Sequence, residues 1–518
     1  MENPIQRPSR RKAALVGLAT KTANIFTPII TGIILVPLYL THIEETMYGA
    51  WLASGNIIQW LILLEAGVGL VTRQQVGEAS ARDDPSFLSE VVGTNVATNV
   101  GLAMVLALAS VALSFAVPPI LGMTGQAGQV LQISFLMAGG AFALMVFCNA
   151  AASVLAGMQR FAVTGTALIC GALCQVSGTV VFVLMGAGIL AIPGGMLLRF
   201  GVMTLIDWPY LLLVLRNAGV RRRFSRMRAR KLVHLLFWAT GNQLAQKGLR
   251  HVDGLFVALV FGVAYVPVVV LTQRVWQLAQ LVSINFSSVL LPGLANLYGE
   301  GQRERFERIA LRLTDLMLLS LAVIGGGMLA LNESFMGLWL PDKDMHAGIG
   351  FDAFMYAALC MMAITYSMER TLFAAGEITA VSKARLVQGL VRPALLLALL
   401  YLVGLMAVPM SLLISSLAVP LWYFSSLTVQ RLGFQHANVL RSIGGGLWAC
   451  LLAGGLAAAW MLLPQPLSWI WFMVQASLFA LAAGAALAAL SPLARGELRA
   501  VAGTIRCRLQ SRASRQPE

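Results

Sequence analysis

A chain of 518 residues with 58% hydrophobic and only 11% charged side chains is too apolar for a soluble domain, where charged residues make up about 25%. Its net charge of +15 does not mark a nucleic-acid binder, because the cations sit in short segments between long apolar runs, the pattern of a membrane protein with positive loops on one side. Six cysteines, none beside a His or acid cluster, exclude a disulfide scaffold and leave Cys148, Cys170, Cys174, Cys360 and Cys450 as small apolar residues inside helices.

Runs long enough to cross a bilayer recur along the whole chain. Hydropathy predicts about fourteen spans, at roughly 14–40, 49–72, 90–116, 128–156, 163–186, 191–215, 233–261, 267–291, 309–331, 351–375, 386–406, 410–428, 444–463 and 468–490. The first follows Arg7, Arg10, Arg11 and Lys12 and is too long for a signal-peptide core, so it reads as an uncleaved span entered from the cytoplasm. The loops on the opposite side are short and carry Lys343 against Glu44, Glu45, Glu333, Asp342 and Asp344. That asymmetry places both termini in the cytoplasm. Short outer loops argue against a polymerase or ligase that holds an acceptor outside. Asn332-Glu-Ser334 matches a glycosylation sequon.

The most polar break is Arg216–Lys231, which contains Arg216, Arg221, Arg222, Arg223, Arg226, Arg228, Arg230 and Lys231 and no acid. Each such cation costs roughly 2.5–3.5 kcal/mol at the bilayer centre, so the segment stays in water. The expected organisation is an N-terminal six-helix lobe over 1–215, a basic cytoplasmic linker over 216–232, a second six-helix lobe over 233–430, two additional transmembrane helices over 431–490, and a basic cytoplasmic tail over 491–518 that contacts anionic membrane lipid. A weak internal repeat agrees. Tyr48-Gly49 pairs with Ala264-Tyr265, Gly77-Glu78 with Gly299-Glu300, and Ala156-Gly157 with Ala375-Gly376, at a period of about 220 residues. Six helices return the chain to the same side, so the halves are parallel repeats related by a pseudo-two-fold along the membrane normal. The fold class is therefore all-α and polytopic.

Ionisable and amide side chains within the spans are the candidates for function. Lys21 and Asn24 share a polar stripe on the first span. Glu65 lies in the second, and Arg199 and Asp207 lie eight residues apart in the sixth. The seventh carries Gln243, Gln246, Lys247, Arg250, His251 and Asp253 at helical spacing, and the eighth carries Gln273, Arg274, Gln277 and Gln280. Asp315, Glu369, Arg312, Arg370 and Arg392 lie near helix ends, where pairing or snorkelling accounts for them. Lys21, Lys247, Arg250 and Arg274 predict a hydrated cationic cavity between the lobes, suited to phosphate oxygens, while Asn24, Gln243 and Gln277 suit hydroxyl-rich sugars. No Walker motif, HExxH or nucleophile elbow stands out, which argues against ATP-driven pumping by this chain alone.

Several stretches resemble a known family. These are Val36-Pro37 through Thr41, Tyr48-Gly49-Ala50-Trp51, and Trp60 through Leu63-Leu64-Glu65-Ala66-Gly67-Val68-Gly69. To them are added Gln273-Arg274-Val275, Leu291-Pro292 through Tyr298-Gly299-Glu300-Gly301, and Ala374-Ala375-Gly376. Together they resemble polysaccharide repeat-unit (O-antigen type) flippases of the multidrug, oligosaccharidyl-lipid and polysaccharide exporter superfamily. Where many members carry Asp-x-Gly, this chain has Glu65-Ala66-Gly67, which keeps the charge.

The resemblance implies a substrate, an undecaprenyl-pyrophosphate-linked oligosaccharide carried across a bacterial inner membrane by alternating access. Lys21, Lys247, Arg250 and Arg274 would hold the pyrophosphate. Glu65 and Asp253 are the candidate binders of a coupling proton or sodium ion, and no bound cofactor or metal is expected. A polysaccharide polymerase and export machinery are the expected protein partners. Two other readings stay open: a cation-coupled multidrug antiporter of the same fold, which calls for acids dominating the cavity, and a membrane-embedded glycosyltransferase or polymerase, which calls for catalytic acids near a membrane face.

Overall fold

The computed structural model describes residues 31–62, 66–81, 85–220, 223–227, 229–230, 252–340 and 344–496. Among these residues the chain is almost entirely helical and has no strand. A polar backbone group left unpaired in hydrocarbon costs several kcal/mol, and a helix pairs all of its own. The helices in chain order are α1 (Thr31–His42), α2 (Glu45–Ile62), α3 (Ala66–Ala81), α4 (Pro85–Ile120), α5 (Gly125–Gly157) and α6 (Phe161–Leu184). They continue with α7 (Ala191–Asn217), α8 (Asp253–Phe261), α9 (Tyr265–Gly299), α10 (Arg303–Trp339), α11 (Ile349–Ala374) and α12 (Ile378–Val403). The last are α13 (Ala407–Ser416), α14 (Trp422–Leu432), α15 (His436–Trp460) and α16 (Trp469–Leu490).

Nine segments among the described residues are long and apolar enough to cross a membrane. One of them, Ile378–Leu432, contains a break at Gly404, whose φ of 65° lies in the left-handed region that glycine adopts without penalty. Beyond that turn, α13 passes into α14 through a π-helical stretch, Leu417–Leu421. Pro420 stands in it and lacks the N–H that a regular turn would need.

Helices overrun the apolar runs at their polar ends. α10 begins at Arg303 and continues to Trp339, so most of the expected break over 292–308 and the first part of the expected loop over 332–350 are helix. Hydropathy reports where a segment is apolar, while a helix continues into water as long as its residues favour it, and Arg, Glu and Leu do.

The chain forms two compact units, one ending at Pro267 and the other beginning at Val268. In the first, α7 packs on α5 and α6, and α4 and α3 pack on α5. Val76, Val92, Ala150, Val154, Leu211 and Leu215 form one of its cores. Small residues let these helices close: a Cβ on Gly139 would strike Ser110, and one on Gly195 would strike Thr179. α8, which the sequence reading places in the second lobe, packs on α2 and is counted with the first unit. There Gly49 faces Val263 so closely that any side chain would run into its carbonyl. The repeat-equivalent pairs 48–49 and 264–265 are thus near neighbours.

The described part of the basic linker is fastened to the first unit. Arg223 N donates to Ser89 O (3.2 Å) and Ser225 N donates to Thr94 Oγ1 (3.2 Å). Gly93 lies beneath, where a Cβ would sit 2.6 Å from the Arg223 carbonyl carbon.

In the second unit, α10 packs on α15, α11 and α16, and α12 packs on α13. Gly446 on α15 has Leu318 against it, and Phe479 on α16 meets Trp460 edge-on at 5.5 Å between ring centres.

Candidate functional site

Of the residues the sequence marks for substrate or ion binding, Lys21, Asn24, Glu65, Gln243, Lys247 and Arg250 lie outside the described residues. Three are described. Arg274 and Gln277 lie three positions apart on α9, so they share a face; Arg274 is half-buried and Gln277 exposed. Asp253, in the first turn of α8, is buried.

The other face of α9 is committed to the second unit. Trp276 is 1% exposed, and its Nε1 donates to Asp352 Oδ1 at 2.7 Å. Asp352, in the first turn of α11, also takes the Asn332 amide from α10 at 2.8 Å on the same oxygen, and His346 Nε2 lies 2.7 Å from its Oδ2. Thr272, one turn before Trp276, accepts from Ala347 N (3.0 Å) and donates to Met345 O (3.2 Å). α9, α10 and the segment leading into α11 are therefore tied to a single carboxylate. These hydrogen bonds satisfy a carboxylate that burial would otherwise leave without partners. Asn332 is 1% exposed, so the sequon match at Asn332 is a buried structural amide.

A cavity of about 290 Å³ lies beside this clamp, lined by Glu333, Ser334, Asp352, Trp460, Gln465 and Gln475. At the other end of α10 and α15 lies a groove of about 620 Å³ in which Glu304, Glu307 and Asp315 balance Arg308, Arg312 and Arg441. Glu307 there takes Gln435 N (3.1 Å) and Asn438 Nδ2 (3.0 Å), and Asp315 is bonded to Ser442.

A second buried network runs through α11, α12 and α13. Glu369 Oε2 accepts from Arg385 Nε (2.8 Å) and Nη2 (2.5 Å). Arg385 Nη1 reaches Gln388 Oε1 at 2.8 Å, and Gln388 Nε2 in turn approaches Ser416 Oγ at 3.3 Å. The rings of Tyr366 and Phe424 each stand 5.3 Å from the guanidinium carbon, a cation–π arrangement. Arg392, one turn further along α12, is 1% exposed. Hydropathy places Glu369 near a helix end and Arg385 in the break before the span at 386–406. In the structure α12 begins at Ile378, and the two form a buried pair. The legible signal was the spacing of Arg385, Gln388 and Arg392, which puts three polar side chains on one helical face.

In the first unit Arg199 donates from Nη1 to Gln175 Oε1 at 3.1 Å and lies 5.7 Å from the Phe200 ring centre. Asp207 is fully buried, and Cys148 Sγ is 3.7 Å from its Oδ2. Among the described residues no cluster of His, Cys, Asp and Glu could hold a metal ion.

This architecture is that of the multidrug, oligosaccharidyl-lipid and polysaccharide exporter fold. A structure described as lipid II flippase MurJ in an inward closed conformation superposes with a TM-score of 0.68 at 12% identity, covering 91% of this chain and 99% of that one. A multidrug resistance MATE family transporter in an inward-facing conformation gives 0.62 at 13% identity over 81% and 99%. A transporter of the same superfamily from Pyrococcus furiosus, whose binding pocket is described as reversed in polarity, gives 0.55 at 14% identity over 88% and 99%. No curated protein matches in sequence. Residues 62–324, just over half of the chain, match the family described as polysaccharide biosynthesis protein, and the chain belongs to that family. It is a multi-pass membrane protein with a transporter fold.

Proposed function

We propose that this chain is a flippase, not an enzyme, and that it moves lipid-linked oligosaccharide repeat units of O-antigen type from the cytoplasmic to the outer leaflet of a bacterial inner membrane. The observation that carries the reading is the family match over 62–324 in a chain with the exporter fold. The charge balance supports an anionic headgroup such as undecaprenyl pyrophosphate: Lys21, Lys247, Arg250 and Arg274 outnumber the acids Glu65 and Asp253 on the same stretches. Arg is suited to such a group because its planar fork matches phosphate oxygens. Asn24, Gln243 and Gln277 would then meet sugar hydroxyls. The positive loops favour both termini in the cytoplasm, and the transport cycle would alternate between the two lobes. A polymerase would take the product on the outer side.

The test is flipping of a fluorescent undecaprenyl-pyrophosphate oligosaccharide in proteoliposomes. Arg274→Ala should lower the rate at least about tenfold, the loss of one charge-assisted phosphate contact, while leaving membrane insertion and thermal stability unchanged. Wild-type flipping rates in Arg274→Ala would remove that residue from the site. Transport of cationic drugs in place of the lipid would favour the antiporter reading.

A further inference from the structure

Asp207 has surroundings unlike those of the other acids described in detail. It lies in α7, about 15 Å along the axis from the end of the helix at Asn217, which is deep in a span of this length. It is 0% exposed, and its Oδ1 has no hydrogen-bond partner among the described residues. Its Oδ2 meets a thiol, Cys148 of α5, at 3.7 Å. The described helices packed on α7 bring no counter-charge, since α5 and α6 contain no Asp, Glu, Lys, Arg or His. Their titratable groups are Cys148 on α5 and Cys170 and Cys174 on α6. On α7 itself, Arg216 stands in the last turn. Arg199 is two turns away, roughly 12 Å along the axis, and is bonded to Gln175.

An ionised carboxylate here would be desolvated and unpaired, the costliest state a buried group can take. A neutral carboxyl needs little from its surroundings. The site does not suit a metal cation, which takes several oxygen ligands, because one carboxyl beside a sulfur supplies too few. The same turn is also where α7 can bend. Pro209 has no N–H for the Leu205 carbonyl, so the turn around Asp207 lacks a helical bond. Trp208 pins that turn to α5, stacking on Phe147 at 4.6 Å and donating from Nε1 to the Phe147 carbonyl at 3.1 Å.

We propose that Asp207 is a proton-binding site of the first unit: its carboxyl carries a proton while α5, α6 and α7 are packed as here, and releases it to water when the turn around Pro209 opens. One O–H bond forms on loading and breaks on release, with water as donor and acceptor. The inference rests on the transporter reading for its use, which is coupling of the cycle to a proton gradient.

Infrared difference spectroscopy of the full chain in lipid vesicles tests the site without any substrate. The wild type minus Asp207→Asn spectrum at neutral pH should contain a protonated-carboxyl C=O band that shifts in heavy water. An ionised carboxylate signal in its place overturns the proposal. If Asp207→Asn does not fold, Cys148→Ala gives the same information, because loss of the thiol contact should move that band to higher frequency, and a spectrum without this shift overturns it. The functional arm uses vesicles that flip the oligosaccharide lipid. A pH gradient should accelerate the wild type and leave Asp207→Asn unaffected, and equal acceleration of both overturns the coupling role. A chain that flips no such lipid but shows the carboxyl band refutes the substrate reading and supports the proton site.

Discussion

Asp352 and Asp207 are both buried, at 2% and 0% exposure, and the chain treats them in opposite ways. Asp352 collects Trp276, Asn332 and His346 from three separate segments and holds them through hydrogen bonds to its two oxygens. Among the described residues Asp207 meets one thiol and no cation. Burial alone therefore does not assign a role to an acid in a membrane helix. The number of donors it finds separates a clamp from a group free to change its charge, because each unmet hydrogen bond of a buried carboxylate is a full desolvation cost.

Substitutions can break this comparison. The largest effect belongs to the buried ion pair. Glu369→Ala strands Arg385 without its partner and should cost about 3–5 kcal/mol, read as a large fall in the thermal midpoint in detergent. A midpoint close to wild type would mean that the pair is solvated. Next comes the clamp. Asp352→Ala leaves three donors unmet and should cost about 1–3 kcal/mol or more, with faster proteolysis between α10 and α11 as a local readout. If Asp207 carries the proposed proton, Asp207→Asn should stay within about 1 kcal/mol of wild type, because an amide would replace a neutral carboxyl. A drop as large as that of Asp352→Ala would make the two acids alike and end the contrast. The smallest change is Glu377→Ala at the surface. Its partner Arg431 is more than half exposed, so the loss should be below about 1 kcal/mol and vanish in high salt.

The linker offers a separate comparison, since its backbone rests on α4 through Gly93. Gly93→Leu should displace it, detectable as new cleavage near Arg223 by trypsin, while the helices of the first unit persist.

Much of the helical pattern was readable from hydropathy. The spans over 128–156, 191–215 and 468–490 have the ends of α5, α7 and α16 to within a few residues, because their flanks are Gly, Pro or charged. The ends of α9, α10 and α12 were not readable, because these helices continue through charged residues that look like loops on an apolar scale. Arg274 and Gln277 do lie on one face of α9, as helical spacing requires. The link between Trp276 and Asp352 was hidden, since its two ends lie 76 residues apart.

Composition by itself determined that this chain lives in a bilayer, and periodicity that it crosses as helices, since both follow from the cost of moving each residue and its backbone out of water. Tertiary structure alone decided which intramembrane charges are tied off. That depends on side chains distant in sequence arriving within about 3 Å of one another, a distance no helical period encodes.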